Sequence, residues 1–501
     1  VTIMLAFLFR LLLWLAVALA CSTPLPAPGA DAAMPNIVLV LADDLGYGDL
    51  ACFGAKDIRT PNLDQFAKQG LRLTSCYAGH ANCSPSRTAL MTGRTPTRVG
   101  VRNWIPHGSP VHLRKSEITI AALLKQAGYS TCHVGKWHLT GQFNEPGVPQ
   151  AVDHGFDHWF STQNNALPNH HNPDNFVRNG KEVGPTEGFS STVVVDEAVK
   201  WLREGRDKSK PFFLYVCFHE PHEPIASDAK YTKLYPHDDP AYSAHHGNIT
   251  QMDDAFGLLM RTLAEQKLDE STLVWFTSDN GPAITNQHPY GSAGPLRDKK
   301  GFLTEGGIRV PGIIRWPGKI KPATESDTPV CGVDFLPTVC QIVGFEPPKD
   351  RVIDGASIVP VFSGKTPIRT EPLYWHFNRA AGNYQVALRD GDWKILATLD
   401  QRPMAASNDV TEAEELQFKA AEPVSFVLYN LKTDIGETED LAAKEPQKLA
   451  EMKDKLLKKY HAVRKESPTW PAWTFDNREG KRIVQPEYVK NRAKGKGKGK
   501  Q

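Results

Sequence analysis

NIVLVLADD, residues 36–44, runs through unbroken apolar residues from Ile37 to Ala42 and stops on two carboxylates, Asp43 and Asp44. A strand with one wet face alternates polar and apolar residues; one with no polar face is covered on both sides, as in a parallel sheet between helices. The stretch therefore predicts a central parallel strand with two acids at its carboxyl end.

The same grammar recurs along the chain. In AGYSTCHVGKWHL a helix stops at Gly128, a strand runs from Ser130 to Val134, and a polar turn follows with Lys136 and His138. PFFLYVCFHEPHEP carries a strand from Phe212 to Phe218 into His219 and His222, and STLVWFTSDNGP one from Thr272 to Thr277 into Asp279 and Asn280. Helical periodicity in EAVKWLREG and DDAFGLLMRTLAEQ fills the gaps. This alternation predicts an α/β fold, a large mostly parallel sheet sandwiched by helices. Ligands of such sheets bind outside the carboxyl ends of the strands, so all four tips point to one edge.

From about residue 366 the texture shifts to short aromatic strands, LYWHFN, YQVALRDGDWKILATL and SFVLYNLKTD, then a lysine-rich amphipathic helix from Pro446 to Val463. These predict a small C-terminal antiparallel sheet with one helix. The organisation expected is a signal peptide over 1–21, a linker over 22–34, a catalytic domain over 35–365, an α+β subdomain over 366–475 and a disordered basic tail over 476–501.

Composition is that of a globular protein, 41% hydrophobic and 23% charged over 501 residues, which excludes wholesale disorder and a multi-span membrane protein. The formal charge is +2, and five positive charges sit in the tail NRAKGKGKGKQ, so the body is mildly acidic and no nucleic-acid partner is expected. VTIMLAFLFRLLLWLAVALACS reads as an export signal, with Cys21 in a lipoprotein-like position for a lipid anchor. The expected location is exported: periplasmic, an outer-membrane lipoprotein, or secreted. Export admits disulfides among Cys52, Cys76, Cys132, Cys217, Cys331 and Cys340, with free buried cysteine as the alternative.

Asp43, Asp44, Asp279 and Asn280 are hard oxygen ligands that suit Ca²⁺ or Mg²⁺. Lys136, Lys300, Arg87, Arg94, His138 and His222 add cations and proton carriers, the complement of a tetrahedral oxyanion ester. In ANCSPSRTALMTGR, residues 81–94, Ser84 can cap a helix whose first turn holds Pro85, which places Cys83 at a helix N-terminus. A thiolate fits there, but a hard metal is a poor companion for sulfur, and the mismatch asks for an oxygen nucleophile.

CSPSRTALMTGR and AGYSTCHVGKWHL resemble the two signatures of the formylglycine-dependent sulfatases of the alkaline phosphatase superfamily, and the likeness runs from about Asn36 through LYNLKTDIGETEDLA near residue 441. The texture resembles the arylsulfatase and N-acetylgalactosamine-6-sulfatase branch. The resemblance implies that a formylglycine-generating or equivalent maturation enzyme reads Pro85 and Arg87 and oxidises Cys83 to an aldehyde, whose hydrate Arg87 then holds. It implies Ca²⁺, with Mg²⁺ as the alternative, on Asp43, Asp44, Asp279, Asn280 and the group derived from Cys83. Lys136 and Lys300 would hold sulfate oxygens, His222 would protonate the leaving alcohol, and His138 would take the proton that lets the sulfated intermediate collapse. Within LRDKKGFLTEGG the frame leaves Lys299 beside Lys300 as a one-residue ambiguity, and Asn82, Met91 and Thr140 depart from the usual pattern.

Loop residues Asn103, Trp104 and His107, Asn164, Asn165, His170 and His171, with His219, Trp375 and His376, are the candidates for a substrate pocket. The expected substrate is a sulfated sugar or polysaccharide. Two rivals use the same residues: a phosphonate monoester or phosphodiester hydrolase, and a non-catalytic glycan-binding surface protein.

Overall fold

The computed structural model describes residues 34–377, 384–400 and 409–490; the predicted signal with Cys21, nearly all of the linker, and residues 491–501 lie outside them. Four strands carry the four tips: β1 (Asn36–Asp43), β2 (Ser130–Lys136), β3 (Phe212–Pro221) and β4 (Thr272–Ser278). In space they run β4, β1, β3, β2, all parallel, with Val38 opposite both Leu214 and Val274. They form the middle of a ten-stranded sheet whose edges are mixed: Gly312–Arg315 lies antiparallel to β4, and His158–Thr162 lies parallel to β2.

β1 is buried on both faces, as its composition requires. Ile37, Leu39 and Leu41 enter one hydrophobic cluster and Val38, Val40 and Ala42 the other. The first cluster is closed by helix α1 (Cys83–Thr92) with Ile120–Gln126 and Phe335–Val343. The second is closed by Pro61–Lys68, α2 (Ser190–Lys200) and α3 (Pro240–Glu265). Each large side chain so buried contributes about 1.5–3 kcal/mol, which fixes the sheet under its helices and hence the position of its tips.

The C-terminal part is an antiparallel meander of β5 (Leu373–Phe377), β6 (Gln385–Asp390), β7 (Trp393–Leu399) and β8 (Pro423–Asn430), followed by α4 (Pro446–Glu466). Alternation assigns its faces. Leu373, Trp375 and Phe377 pack on Tyr77, Ala81 and Ile308 of the catalytic part, while Tyr374, Val386 and Ile395 pack on Met452, Leu456 and Tyr460 of α4. Trp375 and His376 are accordingly core residues and not pocket residues: the Trp375 indole donates to the Ala78 carbonyl at 2.9 Å, and His376 lies between the rings of Phe418 and Tyr460.

A buried ionic cluster adds to this interface. Lys394 of β7 stands 2.9 Å from Glu305 and 2.8 Å from Glu437; Glu305 also accepts from Tyr77 at 2.5 Å and pairs with Arg309 at 3.3 Å. The seven described cysteines are all free. Residues 476–490, assigned from sequence to the disordered tail, are packed instead: Val484 donates to the Pro168 carbonyl at 3.0 Å, and Val489 is buried.

Candidate active site

The four tips converge. Asp43 ends β1, and Asp44 takes a left-handed φ of 63°, rare for a residue with a Cβ, which turns the chain sharply at the strand end. Its amide donates to Asp279 Oδ1 at 3.2 Å, and Asn280 Nδ2 donates to Asp44 Oδ1 at 2.7 Å, so the tips of β1 and β4 are tied acid to acid. Ser278 completes the staple, accepting from the Leu45 amide at 3.0 Å and donating to the Asn280 carbonyl at 3.0 Å. A lone serine inside a strand carries no sequence signal for that task.

Cations close on these acids. Lys136 Nζ lies 2.6 Å from Asp43, Lys300 Nζ 2.7 Å from Asp44, and His222 Nε2 3.6 Å from Asp44. The ambiguity between the two lysines resolves to Lys300, because the Lys299 ammonium donates to the Ile284 carbonyl. Arg87 is buried, with Nε and Nη2 on Asp279 Oδ2 at 3.0 and 2.8 Å and Nη1 on the Lys136 carbonyl at 2.8 Å; it braces two strand tips. Arg94 lies apart from this group. It joins Glu117 at 2.8 Å and Glu466 at 2.7 Å, pinning the end of α1 to α4, so its assignment to the anion site is corrected.

Cys83 is the first residue of α1. Asn82, not Ser84, caps the helix, its side chain accepting from the Cys83 amide at 3.2 Å; Ser84 Oγ instead accepts from the Ile105 amide at 3.0 Å and anchors the 100–108 loop. Asn82 thus has a task that an aliphatic residue could not perform. Cys83 Sγ lies 3.8 Å from Asp43 Oδ1.

Ligand atoms of Asp43, Asp44, Cys83 and His222 all lie within 4.8 Å of one another. Asn280 Oδ1 is buried without a hydrogen-bond partner beside them. An orphaned amide oxygen costs about 1–3 kcal/mol and suits a hard cation, so the oxygen set fits such an ion.

Electrostatics follow from this crowding. Burial pushes the Asp43 carboxyl upward, but Lys136, His222, Arg87 and Lys300 together outweigh it and hold it well below the usual range. Asp279 goes the other way, to about 6, through burial and the neighbouring Asp43. Burial pushes the Cys83 thiol up to about 12 in spite of Lys136 and Lys300, so this is not a thiolate site. Burial, with Lys136 and Arg87, holds the His138 imidazole neutral; Nε2 faces the Ile105 carbonyl at 3.1 Å and the buried Nδ1 has no partner. Burial and Lys300 likewise lower His222, against Asp44 and Asp43.

The pocket candidates divide. Asn103 accepts from Asn82 at 2.8 Å, and the Trp104 ring lies 6.5 Å from that of His138, so this loop borders Cys83 through its neighbour Asn82. Asn164 and the Asn165 amide are each held by Glu479 at 2.8 Å, and His107 is half-buried in the field of Glu479 and Arg478. His170 is buried and its amide donates to the Pro224 carbonyl at 3.4 Å, while His171 is exposed and pairs with Phe189. His219 is buried, with Nε2 on the Thr162 hydroxyl at 2.8 Å.

Residues 35–345 match the sulfatase family model, and residues 296–414 match the model described as N-sulphoglucosamine sulphohydrolase, C-terminal. The N-acetylgalactosamine-6-sulfatase of Canis lupus familiaris is 32% identical over 413 residues, 77% of this chain and 75% of the relative. Among solved structures, Ps i-CgsB in complex with k-i-k-neocarrahexaose superposes with a TM-score of 0.75 at 28% identity, covering 92% of this chain and 98% of its own. The PsFucS1 sulfatase from Pseudoalteromonas sp. superposes with a TM-score of 0.72 at 26% identity over 88% of this chain and 92% of its own. A family model spanning more than half of the sequence, laid over strand tips that converge as described, makes this chain a member of the sulfatase family and a sulfuric ester hydrolase.

Proposed function

We propose that this sulfatase is exported and removes sulfate from a sulfated sugar or polysaccharide, with residue 83, oxidised from cysteine to formylglycine by a maturation enzyme, as its nucleophile. The observation that carries the reading is Cys83 itself: a thiol held protonated by burial at a helix N-terminus, yet enclosed by two lysines and an acid pair. Such surroundings serve an oxygen nucleophile and an anionic substrate better than sulfur. Formylglycine would supply a hydrated aldehyde with one hydroxyl to attack sulfur and a second whose deprotonation releases sulfate, an escape closed to serine.

Asp43, Asp44, Asp279 and Asn280 would hold Ca²⁺, which supplies charge neutralisation for the sulfate and acidifies a bound hydroxyl. The residues of the chain do the rest. Lys136 and Lys300, on opposite acids, present ammonium groups to sulfate oxygens. His222, whose Nδ1 donates to the Glu223 carbonyl, turns Nε2 toward Asp44; as the imidazolium, which burial and Lys300 oppose and Asp44 and Asp43 favour, it would deliver the Nε2 proton to the leaving alcohol. His138 offers its bare Nδ1 as the base for the second hydroxyl. Arg87 opposes the rise of the Asp279 carboxyl and holds it in place.

A sugar substrate is supported by the relatives: one is named for N-acetylgalactosamine 6-sulfate, and the solved Ps i-CgsB complex holds a neocarrahexaose. Export is supported by the apolar N-terminal run, as is lipidation at Cys21. The reading is tested by turnover of 4-nitrophenyl sulfate against 4-nitrophenyl phosphate and a phenylphosphonate monoester, using protein co-produced with a maturation enzyme. Preference for the sulfate by at least about tenfold, or about 1.4 kcal/mol, is expected. Preference for either phosphorus ester would move the assignment to the phosphonate or phosphodiester rival, and hydrolysis of none would favour a binding protein.

A further inference from the structure

Residues 468–490 lie beyond both matched family regions and return to the candidate active site. Trp470 Nε1 donates to the Gly100 carbonyl at 2.8 Å, and Arg102 donates to the Pro468 carbonyl at 2.8 Å. Phe475 meets Trp104 edge to face at 6.0 Å, and Trp104 in turn lies against His138. Further on, Glu479 receives Asn164 Nδ2 and the Asn165 amide, both at 2.8 Å, and Arg482 pairs with Asp174 at 2.5 Å. One segment therefore holds two loops, 100–108 and 163–175. The first bonds Asn82 next to the nucleophile; the second begins at Gln163, whose carbonyl accepts from the His138 amide at 2.8 Å.

The same segment ends at a cavity of about 450 Å³, which Pro486 and Tyr488 line together with Ile225, Ser227 and Ala244. Ile225 of its lining follows His222 by three residues in the chain, which keeps their Cα atoms within about 11 Å of each other. Tyr488, which lines the cavity, has a buried hydroxyl without a hydrogen-bond partner, and its ring lies 5.8 Å from that of His288. The Tyr488 hydroxyl carries a desolvation cost that a hydroxyl-bearing ligand in the cavity would relieve once the ring turns to meet it. Half-apolar walls with a few convergent polar groups are what a sugar ring needs.

We infer that residues 468–490 are a specificity strap, which positions the two loops bordering the nucleophile and completes, with Pro486 and Tyr488, a subsite for the sugar that flanks the sulfated one. The inference rests on the sulfated-sugar reading above. Glu479 is a positioning residue, acting through Asn164 and Asn165; Tyr488 contacts the flanking sugar. An aryl sulfate has no flanking sugar and does not reach the subsite.

The test compares wild type, Glu479→Ala, Glu479→Gln and Tyr488→Phe on 4-nitrophenyl sulfate and on tetrasaccharides from carrageenan and from chondroitin 6-sulfate, each also used as a competitor of the aryl ester. Tyr488→Phe removes one oxygen and keeps the packing, and so guards against loss of fold. The expected result is a fall of about tenfold or more in the kcat/KM ratio of oligosaccharide over aryl sulfate, expressed mainly in KM, with Glu479→Gln intermediate. Parallel loss on both substrates, an unchanged ratio, or a wild type that turns over the aryl ester but neither cleaves nor binds any tetrasaccharide would overturn the strap. Failure of wild type on every sulfate ester would instead break the underlying reading.

Discussion

At the tips of β1 and β4, Asp43, Asp44 and Asp279 meet Lys136, Lys300 and Arg87; at the seam between the catalytic part and the small sheet, Glu305 and Glu437 meet Lys394 and Arg309. Both groups are removed from water, yet their geometry differs. At the seam a cation stands between two acids, Lys394 bridging Glu305 and Glu437, and the Glu437 carboxylate also accepts from the Glu305 amide at 2.6 Å. At the tips three acids are crowded around one point, burial and the neighbouring Asp43 raise Asp279 to about 6, and Asn280 Oδ1 and His138 Nδ1 are left bare. The seam spends its charges on itself and holds the molecule together. The tips keep coordination in reserve, the arrangement that the proposed ion and sulfate group would use.

Breaking each cluster should therefore damage a different property. The largest effect is expected from Cys83→Ala: turnover of any sulfate ester falls by at least about 10⁴-fold, while the melting temperature moves by no more than about 2 °C, since one small group at a helix start is lost. Next come the two buried lysines as a pair. Lys394→Met leaves Glu437 buried without its cation and Glu305 with Arg309 alone, and should cost about 3–5 kcal/mol in urea unfolding, with kcat of the folded fraction nearly retained. Lys136→Met should do the reverse, lowering kcat by about 10²–10³-fold with a smaller loss of stability.

Chelation sharpens the contrast from the other side. Dialysis against EDTA should reduce activity and lower the melting temperature together, both recovered with Ca²⁺, by about 2.7 kcal/mol of stability when the ion stands at a hundred times its Kd. The same treatment of Cys83→Ala should still shift the melting temperature, which separates ion binding from turnover. The smallest effect is a pH slope. Burial pushes the Glu305 carboxyl upward, but Lys394, Arg309 and Arg389 overcome it and hold the group at about 2. Its folded pKa lies below the unfolded value, so its contribution is complete above roughly pH 4.5 and is lost as pH falls toward 2. Burial raises Glu437 despite Lys394, which works in the opposite sense. Glu437→Gln should thus make the acid loss of stability steeper, read as denaturation midpoints between pH 5 and 2.

Much of the site was legible because each tip is local. A both-face-buried strand must be apolar, and the polar residues that end it stand out against that run, as in LADD, VGKWH, CFHEPH and TSDN. The convergence of Asp43 with Asp279 follows from parallel pairing of β1 with β4. What escaped are pairings that no spacing encodes. Lys394 and Glu305 are 89 residues apart and read singly as surface charges. Arg94 looked like an anion ligand because it closes the cysteine signature, but its partners are Glu117 and Glu466. Trp375 and His376 were legible as strand residues but not as core, because nothing in LYWHFN says that both faces of β5 are covered. Residues 476–490, read as part of a disordered basic tail, pack through single anchors, Glu479 and Tyr488, onto loops still more distant in sequence.

The central claim concerns one atom, the group at residue 83. The most direct measurement is mass spectrometry of the tryptic peptide spanning residues 73–87, from protein made with a maturation enzyme and from the native host. An aldehyde mass in place of the thiol at residue 83, with its fraction tracking the fraction of active molecules, is the predicted result. An unmodified cysteine in protein that fully hydrolyses sulfate esters would contradict it.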